Sequence, residues 1–590
     1  MNNITFAIVG SGGAGVVSLG EMVLKSAATA GYYGLMRKSF GPQIRGGESA
    51  AIIRLAAQPV GNFDGSIQAL FVLDWNNFSR FGDEIPIAPD TLIIADAAAG
   101  DAPADLPALS RFCIDFSAAA DAVGSSKANM AMLGFIGSWL QCSPQQMEAY
   151  IHQRLAKFPD DVQQVSAAAM NQGVILAESE QAFALLTSAP MPERGASKQS
   201  QAWIATGNQL SGLGALEAGV RFVAAYPITP ASDCLEWIAN HIESVEGHLV
   251  QAEDELSAIN MVIGAGYSGV PSMTATSGPG LALMTEAMGL AVASETPVVV
   301  VNVMRGGPST GIPTKSEQSD FNIAVYGLHG DAPHLVLSAL GVEDCFTTTA
   351  WAVWLTQQLQ TLAIVLSDQF IGQSSKIVDV LPECDFFVES REPATEEPEA
   401  EYLRYLNTDT GVSQMAIPGD KGCMYTADGL EHSENAVPSP KASDHQKQLA
   451  KRQRKLVEFD YGDRWGEVNG SGAMMLLCWG SMHSTALEAQ ALLNSAGVAT
   501  KLVSLRLLSP FPETEFLRAC NEQQPALVIE QNHQGQLFHY LQGLNLPGLQ
   551  LSSYAKPGPS LITPQEIFLA VKEQIEAGAL MDIRSQQEVQ

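Results

Sequence analysis

The chain has 590 residues, 46% of them hydrophobic and 16% charged, with a formal net charge of −31. That acidity argues against a nucleic acid or an anionic membrane as partner, because binding phosphate-rich surfaces calls for a basic face. The eight cysteines are scattered without a CxxC pair, so neither a zinc finger nor an iron-sulfur cluster has its ligand spacing here. They read as reduced core thiols. The start, MNNITFAIVGSGG, lacks a basic region followed by a continuous apolar core, and no long uncharged apolar window follows. The expectation is a cytoplasmic protein without a membrane span. At roughly 150 residues per domain, the length provides for about three or four cores.

Residues 1–190 open with the strand TFAIVG, the glycine-rich turn GSGGAG (Gly10 to Gly15) and a helix, then alternate strand and helix patterns. A dinucleotide site would use such a turn, but it also needs an acid about 20 residues on for the ribose. Here the first carboxylate after Glu21 is Glu48. Arg37 could instead accept a phosphorylated ribose, as in an NADP enzyme, or the glycines could serve tight strand-to-helix packing alone. A third reading takes RKSFGPQIRGG, where Arg37, Lys38 and Arg45 stand beside permissive glycines. That combination suits phosphates such as those of coenzyme A.

A polar joint, 191–201, leads into a middle block, 202–388. Its strands are RFVAAY, GHLVQAE, SMTATS, TPVVVVNVM, PHLVLSA and TLAIVLSD, each followed by a helical pattern or a glycine-rich turn. Unbroken Val/Ile runs suit strands buried on both faces, and the alternation predicts a doubly wound parallel sheet. Residues 389–470 lack periodicity and read as a long irregular connection packed over its neighbours, with KRQRK (Lys451 to Lys455) as a solvated helix face. Residues 471–578 return to α/β, with AMMLLCWGS, ATKLVSL and PALVIE as strands, before a frayed tail.

The middle block carries the chemistry. In AYPITPASD, Pro227 ends a strand and Pro230 opens a helix, which leaves Thr229 in a rigid loop at the carboxyl edge of the sheet, where such folds place ligands. In QAEDELSAINMV, Glu255 falls on the helix face shared by Ala258, Ile259 and Val262, while Glu253 points away. Glu255 is therefore the acid expected to be buried, where a carboxyl can share a proton with a basic ring nitrogen. Three acids at a helix N-terminus could also simply favour the helix dipole, which accounts for Glu253 and Asp254 better than for Glu255. TATSGPG supplies small residues where a flat ring could approach the backbone. NVMRGGPSTG then places Arg305 and Thr310 in a glycine-rich loop after a buried strand, with the guanidinium suited to bidentate capture of a carboxylate. Thr229, Arg305 and Thr310 share one edge and could converge on a small acid.

YPITP, QAEDELSA, TSGPG, RGGPSTGIPTKSEQSD, PFP and EQNHQGQL together resemble the α subunit of the 2-oxoacid:ferredoxin oxidoreductases, in the form with a γ domain fused in front. The resemblance spans nearly the whole chain. It implies three α/β domains: a γ-type domain, a doubly wound domain gripping the pyrimidine of thiamine diphosphate, and a transketolase C-terminal-like domain. It assigns Glu255 to the aminopyrimidine N1′, Pro227 to the cofactor wall, Thr229 and Thr310 to the substrate, and Arg305 to the carboxylate beside the reacting carbonyl. Arg37, Lys38 and Arg45 become candidate coenzyme A contacts, while WGS and Glu530 to Gln536 read as architecture and subunit packing. The chain has no GDG followed by an Asn about 25 to 30 residues later, the signature that holds Mg²⁺ and diphosphate in such enzymes, and no cluster cysteines. The implied holder of Mg²⁺, diphosphate and a [4Fe-4S] cluster is a separate β subunit, in an α₂β₂ assembly that passes electrons to ferredoxin. 2-Oxoglutarate is the substrate this branch suggests. The alternatives are pyruvate or another 2-oxoacid, or a scaffold subunit without catalytic residues.

Overall fold

The computed structural model describes residues 3–576 apart from 41–48, 81, 108–109, 126, 189–190, 195–201, 313–314, 380, 382, 399 and 522–523. They form two compact units, 1–206 with 373–381, and 207–372 with 382–590.

In the first unit eight strands lie in one sheet, in the order Ser110–Ile114, Ile87–Asp96, Ile67–Val72, Asn3–Gly10, Ser49–Ala56, Tyr33–Phe40, Ser375–Val378, Trp203–Thr206. The first four are mutually parallel, as the strand-helix alternation predicts. The rest are antiparallel, because Tyr33–Phe40 pairs with Ser49–Ala56, which pairs in turn with Asn3–Gly10. Two strands from outside 1–190 complete this sheet: Trp203–Thr206 and Ser375–Val378 pair with each other, and Ser375–Val378 also pairs with Tyr33–Phe40.

The second unit holds two sheets. The seven-stranded sheet runs Leu507–Ser509, Leu335–Ser338, Leu362–Asp368, Val298–Met304, Ser272–Thr276, Phe222–Ala225, His248–Gln251. Every pair in it is parallel except the one made by Leu507–Ser509. Val298–Met304 and Leu362–Asp368 are buried along their whole length, as Val/Ile runs covered on both faces must be. The five-stranded sheet runs Gly466–Asn469, Thr500–Leu505, Met474–Trp479, Gln524–Glu530, Leu549–Ala555. One continuous apolar core, from Ala215 through Val300 and Trp479 to Leu546, joins the two sheets.

The reading of KRQRK as a solvated face is corrected. Helix Ala442–Val457 turns Lys451 and Lys455, one helical turn apart, onto the fully buried Glu295. Lys451 Nζ lies 2.6 Å from Glu295 Oε1 and Lys455 Nζ lies 2.9 Å from Oε2. Arg404, also fully buried, donates to the Glu295 carbonyl at 2.8 Å and to Gln360 Oε1 at 2.9 Å. Glu295 is 156 residues from Lys451 in sequence, so local charge pattern gave no sign of it. Burial opposes the Glu295 charge, but Lys455, Lys451 and Arg404 outweigh it and hold the carboxyl well below the usual carboxylate range. A folded-state value below the unfolded one means that this contribution to stability is complete above the ordinary carboxylate range. It is lost only as pH falls far beneath that range.

Glu295→Gln would strand two buried ammonium groups without a counter-charge. The expected loss is about 3–5 kcal/mol, read from denaturant unfolding of the chain. The exposed Lys447→Gln on the same helix should change it by less than about 0.5 kcal/mol.

Candidate active site at the carboxyl edge of the parallel sheet

Strands Phe222–Ala225, Ser272–Thr276 and Val298–Met304 are neighbours and parallel, so the segments that follow them emerge side by side. The edge strand His248–Gln251 adds the segment that leads into helix Glu255–Tyr267. Four connections therefore meet at one edge of the sheet.

Three consecutive acids open the last of these, and only one turns inward. Asp254 is the N-cap: its carboxylate accepts the Ser257 N–H at 2.7 Å, a bond that holds its pKa below the ordinary value. Glu253 is exposed. Glu255, the first residue of the helix, is 6% exposed, on the face of Ala258, Ile259 and Val262 as helix geometry requires. Its carboxyl lies against Gly280 in the first turn of the next helix, Gly278–Ala293. A Cβ at position 280 would stand 2.7 Å from Glu255 Cγ and 2.8 Å from Oε1. Among the described residues, none donates a hydrogen bond to this carboxylate. A carboxylate held on the inner helix face with no donor from the described residues is open to a ligand that brings its own N–H or ring nitrogen.

Arg305 ends strand Val298–Met304 and is 9% exposed. One terminal nitrogen donates to the Thr229 carbonyl at 2.7 Å, which joins two of the three residues expected to converge. Its Nε is buried without a partner among the described residues. Burial lowers the guanidinium pKa, and the Asp320 carboxylate acts in the opposite sense. Asp320 is buried in turn, accepts from Asn302 Nδ2 at 2.9 Å, and has its own pKa raised chiefly by that burial. The Ser319 hydroxyl lies 2.6 Å from the Arg305 carbonyl and 3.1 Å from Asp320 Oδ1. A Cβ on Gly278 would come within 2.8 Å of Asp320, so the acid abuts the same helix start that faces Glu255.

Thr310 and Pro227 lie on the exposed rim. The loop that carries Thr310 folds back through Ile312 N–H to the Gly306 carbonyl at 3.0 Å. It needs glycine at 311, where φ is +59° and a side chain would strike that same carbonyl. Among the described residues, no hydrogen bond joins Thr310 to Arg305 or Thr229. Asn302 and Asp320 were missed from sequence, although an amide inside the buried run VVVVNVM was a legible signal.

The front of the chain behaves differently. Arg37 and Lys38 are consecutive residues of strand Tyr33–Phe40 and so point to opposite faces. Arg37 donates to the Glu84 carbonyl at 3.0 Å, and burial lowers its pKa. Lys38 pairs with Glu21 at 3.0 Å. Arg45 lies outside the described residues. At GSGGAG the Asp74 carboxylate accepts both the Ser11 N–H and hydroxyl at 2.8 Å, and the space beside Gly15 is taken by Asn129. An acid at that turn repels a pyrophosphate; close packing accounts for Gly10 and Gly15, whereas Gly12 and Gly13 are exposed.

A family model described as "Pyruvate flavodoxin/ferredoxin oxidoreductase, thiamine diP-bdg" matches residues 213–451, and one described as "Pyruvate ferredoxin/flavodoxin oxidoreductase" matches residues 5–175. The 2-oxoglutarate synthase subunit KorA of Methanothermobacter thermautotrophicus is 34% identical over 365 residues, covering 61% of this chain and 96% of that protein. The 2-oxoglutarate oxidoreductase subunit KorA of Mycobacterium tuberculosis is 33% identical over 453 residues, 73% of this chain and 67% of that one. A solved structure, 2-oxoglutarate:ferredoxin oxidoreductase from Magnetococcus marinus with 2-oxoglutarate, coenzyme A and succinyl-CoA bound, matches with a TM-score of 0.86 at 31% identity. The match covers 98% of this chain and 100% of that one. With a relative at this identity covered almost from end to end, the chain belongs to the family of 2-oxoacid:ferredoxin oxidoreductase α subunits.

Proposed function

We propose that this chain grips the pyrimidine side of thiamine diphosphate in an enzyme that interconverts 2-oxoglutarate plus coenzyme A with succinyl-CoA plus carbon dioxide, coupled to ferredoxin. The observation that carries this reading is Glu255: a buried carboxylate, pressed against Gly280 and left without a donor among the described residues. Thiamine diphosphate, when bound, supplies a carbon nucleophile and an electron sink. Glu255 then holds a proton at the pyrimidine N1′, its low-dielectric surroundings strengthening that bond. The small residues at 278 and 280 leave the ring room to approach the backbone. Pro227 lines the cofactor from the rim. Arg305 binds the carboxylate next to the reacting carbonyl through its unpartnered Nε and remaining N–H groups, with Thr229 and Thr310 beside the substrate.

The missing GDG…Asn signature and cluster cysteines support a separate β subunit that holds Mg²⁺, the diphosphate and a [4Fe-4S] cluster, in an α₂β₂ assembly. The names of the relatives support 2-oxoglutarate as the acid oxidised. The eight free thiols support a reducing, cytoplasmic setting. No helix among the described residues is long and apolar enough to cross a membrane.

Coexpressed with its partner subunit and assayed anaerobically with a low-potential acceptor, coenzyme A and a panel of 2-oxoacids, the enzyme should show its highest kcat/KM with 2-oxoglutarate. A preference for pyruvate would overturn that assignment alone. Glu255→Gln should cost about 10²- to 10⁴-fold in kcat, and unchanged turnover would sink the reading of the site. Gly280→Ala, whose methyl enters the space of the Glu255 carboxyl, should weaken thiamine diphosphate binding in a titration while far-UV circular dichroism stays that of the parent.

A further inference from the structure

The segment that follows the Arg305 loop is gripped along its length by the domain of the five-stranded sheet. Gly558 N–H donates to Glu317 Oε2 at 3.1 Å. Gln318 N–H donates to the Gln531 carbonyl at 2.8 Å, Gln531 N–H returns a bond to Gln318 Oε1 at 2.8 Å, and Gln318 Nε2 donates to the Trp479 carbonyl at 2.9 Å. Gln536 brackets the next turn: its Nε2 donates to the Ser319 carbonyl at 3.0 Å and its Oε1 accepts the Asn322 N–H at 2.9 Å. The helix turn that carries Gln536 is itself fixed, because the fully buried Glu530 accepts the N–H groups of Leu537 and Phe538 at 2.7 and 3.0 Å. Gly480 is part of the same device, since a Cβ there would stand 2.6 Å from Gln318 Nε2. The motifs WGS and EQNHQGQL thus meet on one segment of the neighbouring domain, and that segment ends in Ser319 and Asp320, which hold the backbone and face the charge of Arg305.

An arginine side chain has many rotamers to lose, so a guanidinium that is to meet a small acid in one pose must be held there. We propose that Gln536 is a positioning residue for Arg305, acting through Ser319 and Asp320, so that the domain of the five-stranded sheet sets the affinity of the site for its acid substrate. This rests on Arg305 as the carboxylate ligand, the reading given above. Without the Gln536 amide, the Ser319 carbonyl and Asn322 N–H lose their partner and the turn that carries Asp320 is free to shift. A displacement of about 1 Å at a remote support can cost up to about a hundredfold in rate.

The test uses the assembled enzyme with its partner subunit and four variants: Gln536→Ala, Gln536→Glu, Arg305→Lys and Gln536→Ala with Arg305→Lys. Gln536→Glu keeps the acceptor for Asn322 N–H but loses the donor to Ser319, and it guards against misfolding of the alanine variant. Both Gln536 variants should raise KM for 2-oxoglutarate about tenfold or more, with thiamine diphosphate affinity and the unfolding midpoint unchanged. The double variant should be no worse than Arg305→Lys alone, because the support has nothing left to position. Parental KM in both Gln536 variants, or independent additive losses in the double variant, would overturn the proposal. An Arg305→Lys enzyme with parental KM would instead sink the reading of Arg305 as carboxylate ligand, and the positioning role with it. A damaged Arg305→Lys enzyme beside intact Gln536 variants removes the positioning role alone.

Discussion

A parallel sheet covered on both faces can carry polar chemistry only at its two edges, because a buried polar atom inside it would have to find a partner among Val, Ile and Leu side chains. The seven-stranded sheet follows this in its two central strands, while Ser272–Thr276 carries at its middle a fully buried Thr274 whose hydroxyl has no partner among the described residues. Its central strands Val298–Met304 and Leu362–Asp368 are wholly buried, and polar side chains enter them only near their carboxyl ends, at Asn302, Ser367 and Asp368. Everything proposed for this chain follows from which edge a residue is delivered to.

The two edges are used in opposite ways. At the amino edge, Glu295 precedes strand Val298–Met304, and its charge is met by two lysines, with Arg404 and Gln360 closing the backbone around it. Both carboxylate oxygens of Glu295 are paired there, although Arg404 Nε is buried without a partner among the described residues. At the carboxyl edge, Glu255 has no donor and Arg305 keeps a free Nε among the described residues, although both are buried. Buried charge is thus paired at Glu295 and left unpaired at Glu255 among the described residues.

What could be read from the sequence was what local geometry determines. The six strands of the middle block stand where their Val/Ile runs and following turns put them, and Glu255 is buried because a helix repeats every 3.6 residues wherever it occurs. What could not be read depends on partners remote in sequence. KRQRK looked solvated because Glu295 comes 156 residues before Lys451. Composition groups Arg37 and Lys38 beside glycines, and strand alternation separates such neighbours. Asp320 carries no local mark of its role, since only the folded chain brings it to Asn302 and Arg305.

The strand Ser375–Val378 has a further consequence for how the chain is made. It lies in the sheet of the first unit, between Tyr33–Phe40 and Trp203–Thr206, yet it is translated after most of the middle block. Folding during synthesis generally runs from the amino terminus, domain by domain. Here the leading sheet cannot be finished until residue 378 has left the ribosome, and until then the hydrogen-bonding edge of Tyr33–Phe40 has no neighbour on that side. A nascent polypeptide arrested between the two units would therefore display an open template for pairing with other chains, which makes this stretch of translation the window in which a chaperone has something to protect.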